Sequence, residues 1–388
     1  LLEAYPQSGG DLKSDEKDLL RLALLIYQDA CARCTVDVSD LRDLMTIKSR
    51  VKSEGLSFLT ITLPTFSRDF EYSLALGRID PTLFRSFRKI GSIPAFLQGM
   101  IGLIFDRETG RILDENPRIC RSTIVDSVRQ ICRTFGKIKL PCTPERTYKA
   151  VQGFVQSERD LASLEIPHDL HRLYNDVSHV LWGPVVSGCD LKAAVPRHGP
   201  GATAEGVSGN QKYRWRLWHE RLEPFFPFLE NGYSISAFDS KEFEDVKFVS
   251  PNEELPVKVT PVPKTQKGPR IIAIEPACMQ YAQQALQLVL YKQIQRSKFT
   301  SGHVNFTDQE INRRLALIAS KDKSLATIDL SEASDRVPRS LALEMFDSHP
   351  DIQDAIDACR STHAKLRDGT IIGPLLKFAS MGSALCFP

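Results

Sequence analysis

A chain of 388 residues, 42% of them hydrophobic, can bury a substantial core, and its length suggests two or three packed units. The formal net charge of +2 is too mild to argue for a polyanionic partner, so any nucleic-acid surface must come from local clusters of Lys and Arg. No run approaches the roughly eighteen apolar residues that a membrane span requires, which argues against a transmembrane protein.

The chain starts with Leu1 rather than Met and stops in apolar sequence, Leu385-Cys386-Phe387-Pro388, so it reads as a fragment. Its nine cysteines are scattered, as suits a reducing cytosol. Cys31 and Cys34 form a lone C-x-x-C without a second pair, which reads as buried thiols rather than a metal site.

Along the chain, Ser14 followed by Asp15 and Glu16 reads as a helix start, and Leu19 to Ala30 as a core helix. Phe58 to Leu63 alternates like a strand that Pro64 closes. From about Asp69 to Leu181 the pattern is mostly helical, with loops such as Asp106 to Gly110. Small residues from Gly188 to Gly209 mark a boundary or loop. The tight turn His198-Gly199-Pro200-Gly201-Ala202 lacks the Gly-Lys-Ser/Thr ending of a phosphate-binding loop. A helix is expected next, carrying Tyr213, Arg214, Trp215, Arg216 and Trp218. Such residues can stack bases, although Trp at helical spacing usually belongs to the core.

The Pro-rich stretch Val257 to Pro269 leads to a short buried strand, Arg270 to Ile274. A long helix should follow from about Met279 to Ser297. Further on, the pattern gives a strand at Leu325 to Leu330 and helices near Arg339 to Phe346 and Ile352 to His363. Leu366 to Ile371 is a hairpin signal, because Asp368-Gly369 supplies the positive φ of a tight turn.

Three stretches can carry chemistry. In Ala326-Thr327-Ile328-Asp329-Leu330-Ser331-Glu332-Ala333-Ser334-Asp335, a strand would deliver Asp329 and a turn of small residues would return Asp335 towards it. Phosphoryl transfer is mostly positioning and charge neutralisation by Mg²⁺, so rigid, strand-borne carboxylates suit it. The plain alternative is an Asp that caps a helix after a buried strand. Lys258, Lys264, Lys267 and Arg270 lie close together with no acid between them, on backbone stiffened by Pro261, Pro263 and Pro269. A triphosphate and its pyrophosphate leaving group need such a segment, although in isolation a solvated loop explains it better. Ser380-Met381-Gly382-Ser383, after the hairpin, can turn amides and hydroxyls towards a ribose or phosphate. It can equally be a helix cap.

In this order, Val262-Pro263-Lys264, Arg270-Ile271-Ile272-Ala273-Ile274-Glu275-Pro276, Asp329 to Asp335 and Ser380-Met381-Gly382 resemble the replicase β-subunit of the leviviruses, the small RNA phages. His198 to Ala202 is similar to a Gly-Pro-Gly-Ala element of that family. The resemblance is ordered from about residue 190 onward. It implies an RNA-dependent RNA polymerase with an α+β, right-hand fold. Residues 1–187 would form a mostly helical N-terminal region and 188–275 the fingers. Residues 276–388 would form an antiparallel-sheet palm, incomplete because the Gly-Asp-Asp motif and thumb would lie beyond residue 388. The chain alone would then not polymerise.

The resemblance also implies roles. Lys264, Lys267 and Arg270 would hold the triphosphate (motif F). Asp329 and the Leu330 carbonyl would bind metal (motif A), with two Mg²⁺ ions or Mn²⁺ in their place. Asp335 would face the ribose hydroxyls. Ser380, Gly382 and Ser383 would form the motif B loop, with Ser383 where family members often carry Asn. Implied partners are template and product RNA, ribonucleoside triphosphates, host elongation factors Tu and Ts and a small-subunit ribosomal protein, in the cytoplasm of an infected bacterium. Reverse transcriptases place a bulky aromatic five residues after the Asp. Here Ser334 stands there, too small to exclude a 2′-hydroxyl. The alternative from another class is a non-catalytic RNA-binding protein derived from a polymerase.

Overall fold

A computed structural model describes residues 12–232 and 245–387. The chain divides into two compact units. The first comprises residues 1–150 with residues 262–270, and the second residues 151–261 with residues 271–388. Both helix and strand are present, so the fold is α+β. No described helix is long and apolar enough to cross a membrane.

The first unit is helical. It holds α1 (Leu12–Ala32), α2 (Leu41–Glu54), α3 (Leu63–Leu76), the small hairpin β1 (Lys89–Ile90) and β2 (Ile93–Pro94), the turn α4 (Gln98–Ile101), α5 (Arg121–Arg133) and the start of α6 (Pro144–Ala162). The core helix expected at Leu19 to Ala30 lies within α1; the capping role expected of Ser14 falls outside the described side chains. Both α1 and α3 pack on α5, around an aromatic core of Tyr27, Phe58, Phe66, Phe70, Phe105 and Phe135. The strand expected at Phe58 to Leu63 is instead helical. Phe58–Thr62 forms a π-helical turn that runs straight into α3, with Pro64 in the first turn. Phe58, Leu59, Leu63, Phe66 and Phe70 are all buried, a spacing that continues the helical face of α3 and overrides the local alternation.

The second unit holds α7 (His168–Val186), β3 (Leu217–His219), the turn α8 (Phe228–Asn231), β4 (Lys247–Val249), α9 (Ala277–Arg296) and the inner parts of β5 (Val257–Thr265) and β6 (Gly268–Ile274), whose joining end at residues 262–270 belongs to the first unit. After these come α10 (Glu310–Asp322), α11 (Arg339–Glu344), α12 (Pro350–Ala358), β7 (Ala364–Lys365) and β8 (Ile371–Ile372). The aromatic-rich helix expected around Tyr213 to Trp218 is not one. A 3₁₀ turn ends at Tyr213, and Leu217 to His219 pair parallel with Lys247 to Val249. Trp215 and Trp218 are buried against Phe228 and Tyr281, so they are core.

One sheet has the strand order β6-β5-β7-β8. It is mixed rather than purely antiparallel, because β7 runs parallel to β5 through Val257↔Ala364 and Lys258↔Lys365. The Pro-rich stretch is itself strand β5, and Pro261 and Pro263 lie past its short pairing with β7, where a missing N–H leaves no broken ladder. The β6 strand is only part-buried, with Ala273 its one buried residue. The hairpin at Asp368-Gly369 forms as expected, with Gly369 at φ 91° and β8 returning antiparallel to β7. The expected long helix is α9, which has no Gly or Pro and is buried almost all round in its first half.

Candidate functional site

A dense polar arrangement in the second unit surrounds residues 375–386, the stretch carrying Ser-Met-Gly-Ser. Its backbone is held from several sides. Arg339 N donates to Leu376 O at 2.7 Å, and Phe378 N to Val337 O at 2.8 Å, so residues 337–339 and 376–378 run as a short antiparallel pair. The Glu158 carboxylate, on α6, accepts from Leu376 N at 2.7 Å. The buried Arg360 guanidinium donates to three backbone carbonyls of this stretch: Phe378 O at 2.7 Å, Lys377 O at 2.9 Å and Leu375 O at 3.2 Å. Burial pushes the pKa of Arg360 down, yet these carbonyls satisfy the fork that a lysine could not fill. Ala273 N on β6 donates to Met381 O at 2.8 Å, which seats the loop against the sheet. There Gly382 has φ 131°, and a Cβ at this position would stand 2.0 Å from Ala273 O. Only glycine fits so close an approach.

Ser383 caps the last turn. Its hydroxyl accepts from Leu385 N at 3.2 Å and donates to Gln283 Oε1, on α9, at 3.1 Å. It is buried, so in this arrangement its hydrogen bonds run inward. Ser380 is also buried, and its hydroxyl donates to Asp335 Oδ1 at 2.8 Å. Residues 45 apart in the sequence, read from two separate motifs, therefore meet directly. The turn that returns Asp335 begins at Glu332, which takes a left-handed conformation (φ 55°) and accepts from Asp335 N at 2.9 Å. Ser334 is half-buried. It contacts the Cys386 thiol and borders an apolar cavity of about 210 Å³ with Trp182, Leu290, Phe346 and Phe378.

One member of the cluster escaped the sequence reading. Lys377 is buried, and its ammonium donates to Asp335 Oδ1 at 3.0 Å, Ser157 Oγ at 2.8 Å and Phe154 O at 3.2 Å. It also lies 3.6 Å from the Phe154 ring centroid and 3.6 Å from Glu158 Oε1. Glu158 and Arg360 escaped too. A signal existed for Lys377: it is the sole cation in the apolar run Ile371 to Phe378, where a charge survives only if paired.

Asp329 contrasts with all this. Residues 323–330 have no regular structure, every one is exposed, and Ile328 and Leu330 are 80% and 72% exposed. The strand expected at Leu325 to Leu330 is absent because a strand exists through its hydrogen-bond partner, and no described residue pairs with this segment. Asp329 and the Leu330 carbonyl are oxygen donors of the type a hard divalent cation takes. Among the described residues, no group of three or more His, Cys, Asp or Glu is placed to hold a metal. The donor set is therefore partial.

Lys264, Lys267 and Arg270 lie at the outer end of the β5–β6 hairpin, which belongs to the first unit. All three are exposed, and none forms an ion pair with a described residue. The turn between them is anchored: Thr60 Oγ1 donates to Gln266 Oε1 at 2.6 Å, and Arg146 to Gln266 O at 3.1 Å. The result is a presented, unneutralised cationic finger, suited to phosphate oxygens.

His198-Gly199-Pro200-Gly201 is a lysine-filled loop. The buried Lys212 donates to Gly199 O at 2.6 Å, to Gly201 O, and to Gln280 Oε1 at 3.3 Å. His198 stacks among Tyr213, Trp215 and Tyr281, where burial first and Lys212 second push its pKa down to about 4. A neutral histidine wedged among rings suits a structural role.

Comparison with known proteins agrees with the motifs. Residues 242–388 match the family model described as RNA replicase, beta-chain. The chain is 36% identical over 130 residues to the RNA-directed RNA polymerase subunit beta of Enterobacteria phage SP, covering 34% of this chain and 21% of that protein. To the same subunit of Qbeta virus (strain MX1) it is 31% identical over 199 residues, 50% of this chain and 31% of the relative. To the RNA-directed RNA polymerase beta chain of Escherichia phage MS2 it is 36% identical over 126 residues, 32% and 22% respectively. The chain thus spans between a fifth and a third of the length of the curated relatives it matches. The resemblance to RNA-phage replicase beta-chains drawn from the sequence holds.

Proposed function

We propose that these residues are part of an RNA-dependent RNA polymerase that copies a phage genome. The observation that carries the reading is the hydrogen bond between Ser380 and Asp335, 2.8 Å long. It joins two stretches singled out separately from the sequence, both inside the segment similar to RNA replicase beta-chains. A helix cap or a solvated loop would not need them together.

On this reading Asp329 and the Leu330 carbonyl contribute to an Mg²⁺ site of two ions, for which Mn²⁺ would substitute. The ions supply charge neutralisation to the triphosphate during in-line transfer. Lys264, Lys267 and Arg270 hold phosphate oxygens. Asp335 accepts from ribose hydroxyls, Ser334 leaves space for the 2′-hydroxyl, and Ser380 to Ser383 form the loop beneath the nucleotide. Residues 1–187, 188–275 and 276–388 would be N-terminal region, fingers and palm of a right-hand polymerase. Activity belongs to the complete protein, with RNA and ribonucleoside triphosphates as substrates. The host elongation factors Tu and Ts and a small-subunit ribosomal protein are its proposed partners in the bacterial cytoplasm.

The test is primer-independent RNA synthesis by the complete protein with Mg²⁺, beside Asp329→Ala. Loss of a metal ligand should lower synthesis by about a thousandfold or more. Full activity in the variant would remove Asp329 from the metal site. A complete protein that is inactive even with host lysate, yet retains RNA, would favour a non-catalytic RNA-binding role.

A further inference from the structure

We propose that Lys377 is a positioning residue for sugar recognition, holding Asp335 so that one carboxylate oxygen stays free for the ribose hydroxyls of an incoming nucleotide. This rests on the polymerase reading above.

A buried lysine is costly. The Lys377 side chain is 1% exposed, and an ammonium withdrawn from water is tolerated only when its donors are used. Lys377 has three N–H bonds and three acceptors within reach: Phe154 O, Ser157 Oγ and Asp335 Oδ1. The Phe154 ring beside it adds attraction without competing for a proton. The side chain is therefore fixed in direction.

Its effect on Asp335 is asymmetric. Oδ1 receives both Lys377 and Ser380, whereas no described donor reaches Oδ2. Asp335 is 17% exposed, so the carboxylate is clamped at one oxygen and open at the other. An ionised carboxylate only accepts. Its free oxygen can take a hydrogen bond from a 2′- or 3′-hydroxyl and gains nothing from a 2′-hydrogen. The ammonium keeps that acceptor aimed. A lysine serving only to tie α6 to the loop would need Phe154, Ser157 and Glu158, but not Asp335.

The experiment uses the complete protein and compares kcat/KM for ATP and 2′-deoxy-ATP on a fixed RNA template. Lys377→Met should lower the preference for the ribonucleotide by about tenfold, the scale of one charge-assisted hydrogen bond, chiefly by loss on ATP. Lys377→Arg, which restores a cation, should recover part of it. In an Asp335→Ala background, adding Lys377→Met should change the preference no further, because the two residues act through one contact. Equal losses on both nucleotides, or an unchanged preference in Lys377→Met, would overturn the inference while leaving the polymerase reading intact. If Lys377→Met does not fold, Ser380→Ala removes the other donor to the same oxygen. An unchanged preference there would overturn the inference equally. A wild-type protein that makes no RNA would overturn the polymerase reading, and this inference with it.

Discussion

Asp329 and Asp335 stand six residues apart in one motif, yet the molecule treats them in opposite ways. Asp335 is clamped by Lys377 and Ser380 beside a loop whose backbone is tied to α6, to β6 and to Arg360. Asp329 sits on an exposed segment with no partner among the described residues. The difference is one of supply. Everything that fixes Asp335 comes from side chains and turns of the second unit. Everything that would fix Asp329 is a ladder of backbone hydrogen bonds, which a single strand cannot make for itself. One carboxylate is preorganised; the other waits on a neighbour.

The sharpest way to break this contrast is to loosen the ordered side. Gly382→Ala would set a Cβ 2.0 Å from Ala273 O at φ 131°, so either the loop or β6 must shift. The variant should lose roughly 3 kcal/mol or more of stability, read by urea denaturation followed through the fluorescence of the buried Trp215 and Trp218. A loss below about 0.5 kcal/mol, the scale of an ordinary surface change, would mean that the seat on the sheet is not tight.

A smaller effect should come from Glu275, buried beneath the same loop and hydrogen-bonded by Ser361 Oγ at 2.6 Å. Burial raises its pKa above the ordinary 4.5. A raised folded-state pKa means that the group's contribution to stability is complete below 4.5 and is lost as pH rises through the shifted value. Glu275→Gln keeps an acceptor for Ser361 and removes the titration. As pH rises above 4.5 the variant should therefore gain on the wild type, in urea midpoints taken at successive pH values. Parallel curves would show that Glu275 is no more reluctant to ionise folded than unfolded.

What was legible in the sequence follows the same division. The Asp368-Gly369 hairpin, α9 and the cap at Ser383 depend on neighbours within a few residues, and local chemistry announces them. Phe58 to Leu63 misled because its alternation is short, and the decisive residues, Phe66 and Phe70, lie further along α3. Trp215 and Trp218 were recognisable as core, but not as flanking a strand, since β3 depends on β4, nearly thirty residues later. The carboxylate, serine and glycine of the site could be named from their motifs. Lys377 and Arg360 could not, because their roles are set by acceptors on α6 and in the loop that only the fold assembles.

The smallest structural effect is expected where the chemical effect is largest. Asp329→Ala removes a side chain with no described hydrogen bond or ion pair, from a segment whose neighbours Ile328 and Leu330 are also exposed. Nothing is there to lose a partner, so the stability of this 388-residue chain should change by less than about 0.5 kcal/mol. Asp335→Ala in the same assay would strand the buried Lys377 with one anionic neighbour fewer, at a cost of about 3 kcal/mol. If the two variants instead unfold alike, Asp329 has an internal partner in solution, and the contrast between a clamped and a waiting carboxylate is wrong. If they differ as expected, loss of RNA synthesis by Asp329→Ala in the complete protein can be charged to chemistry rather than to folding. The absence of packing around Asp329 is what makes that separation clean.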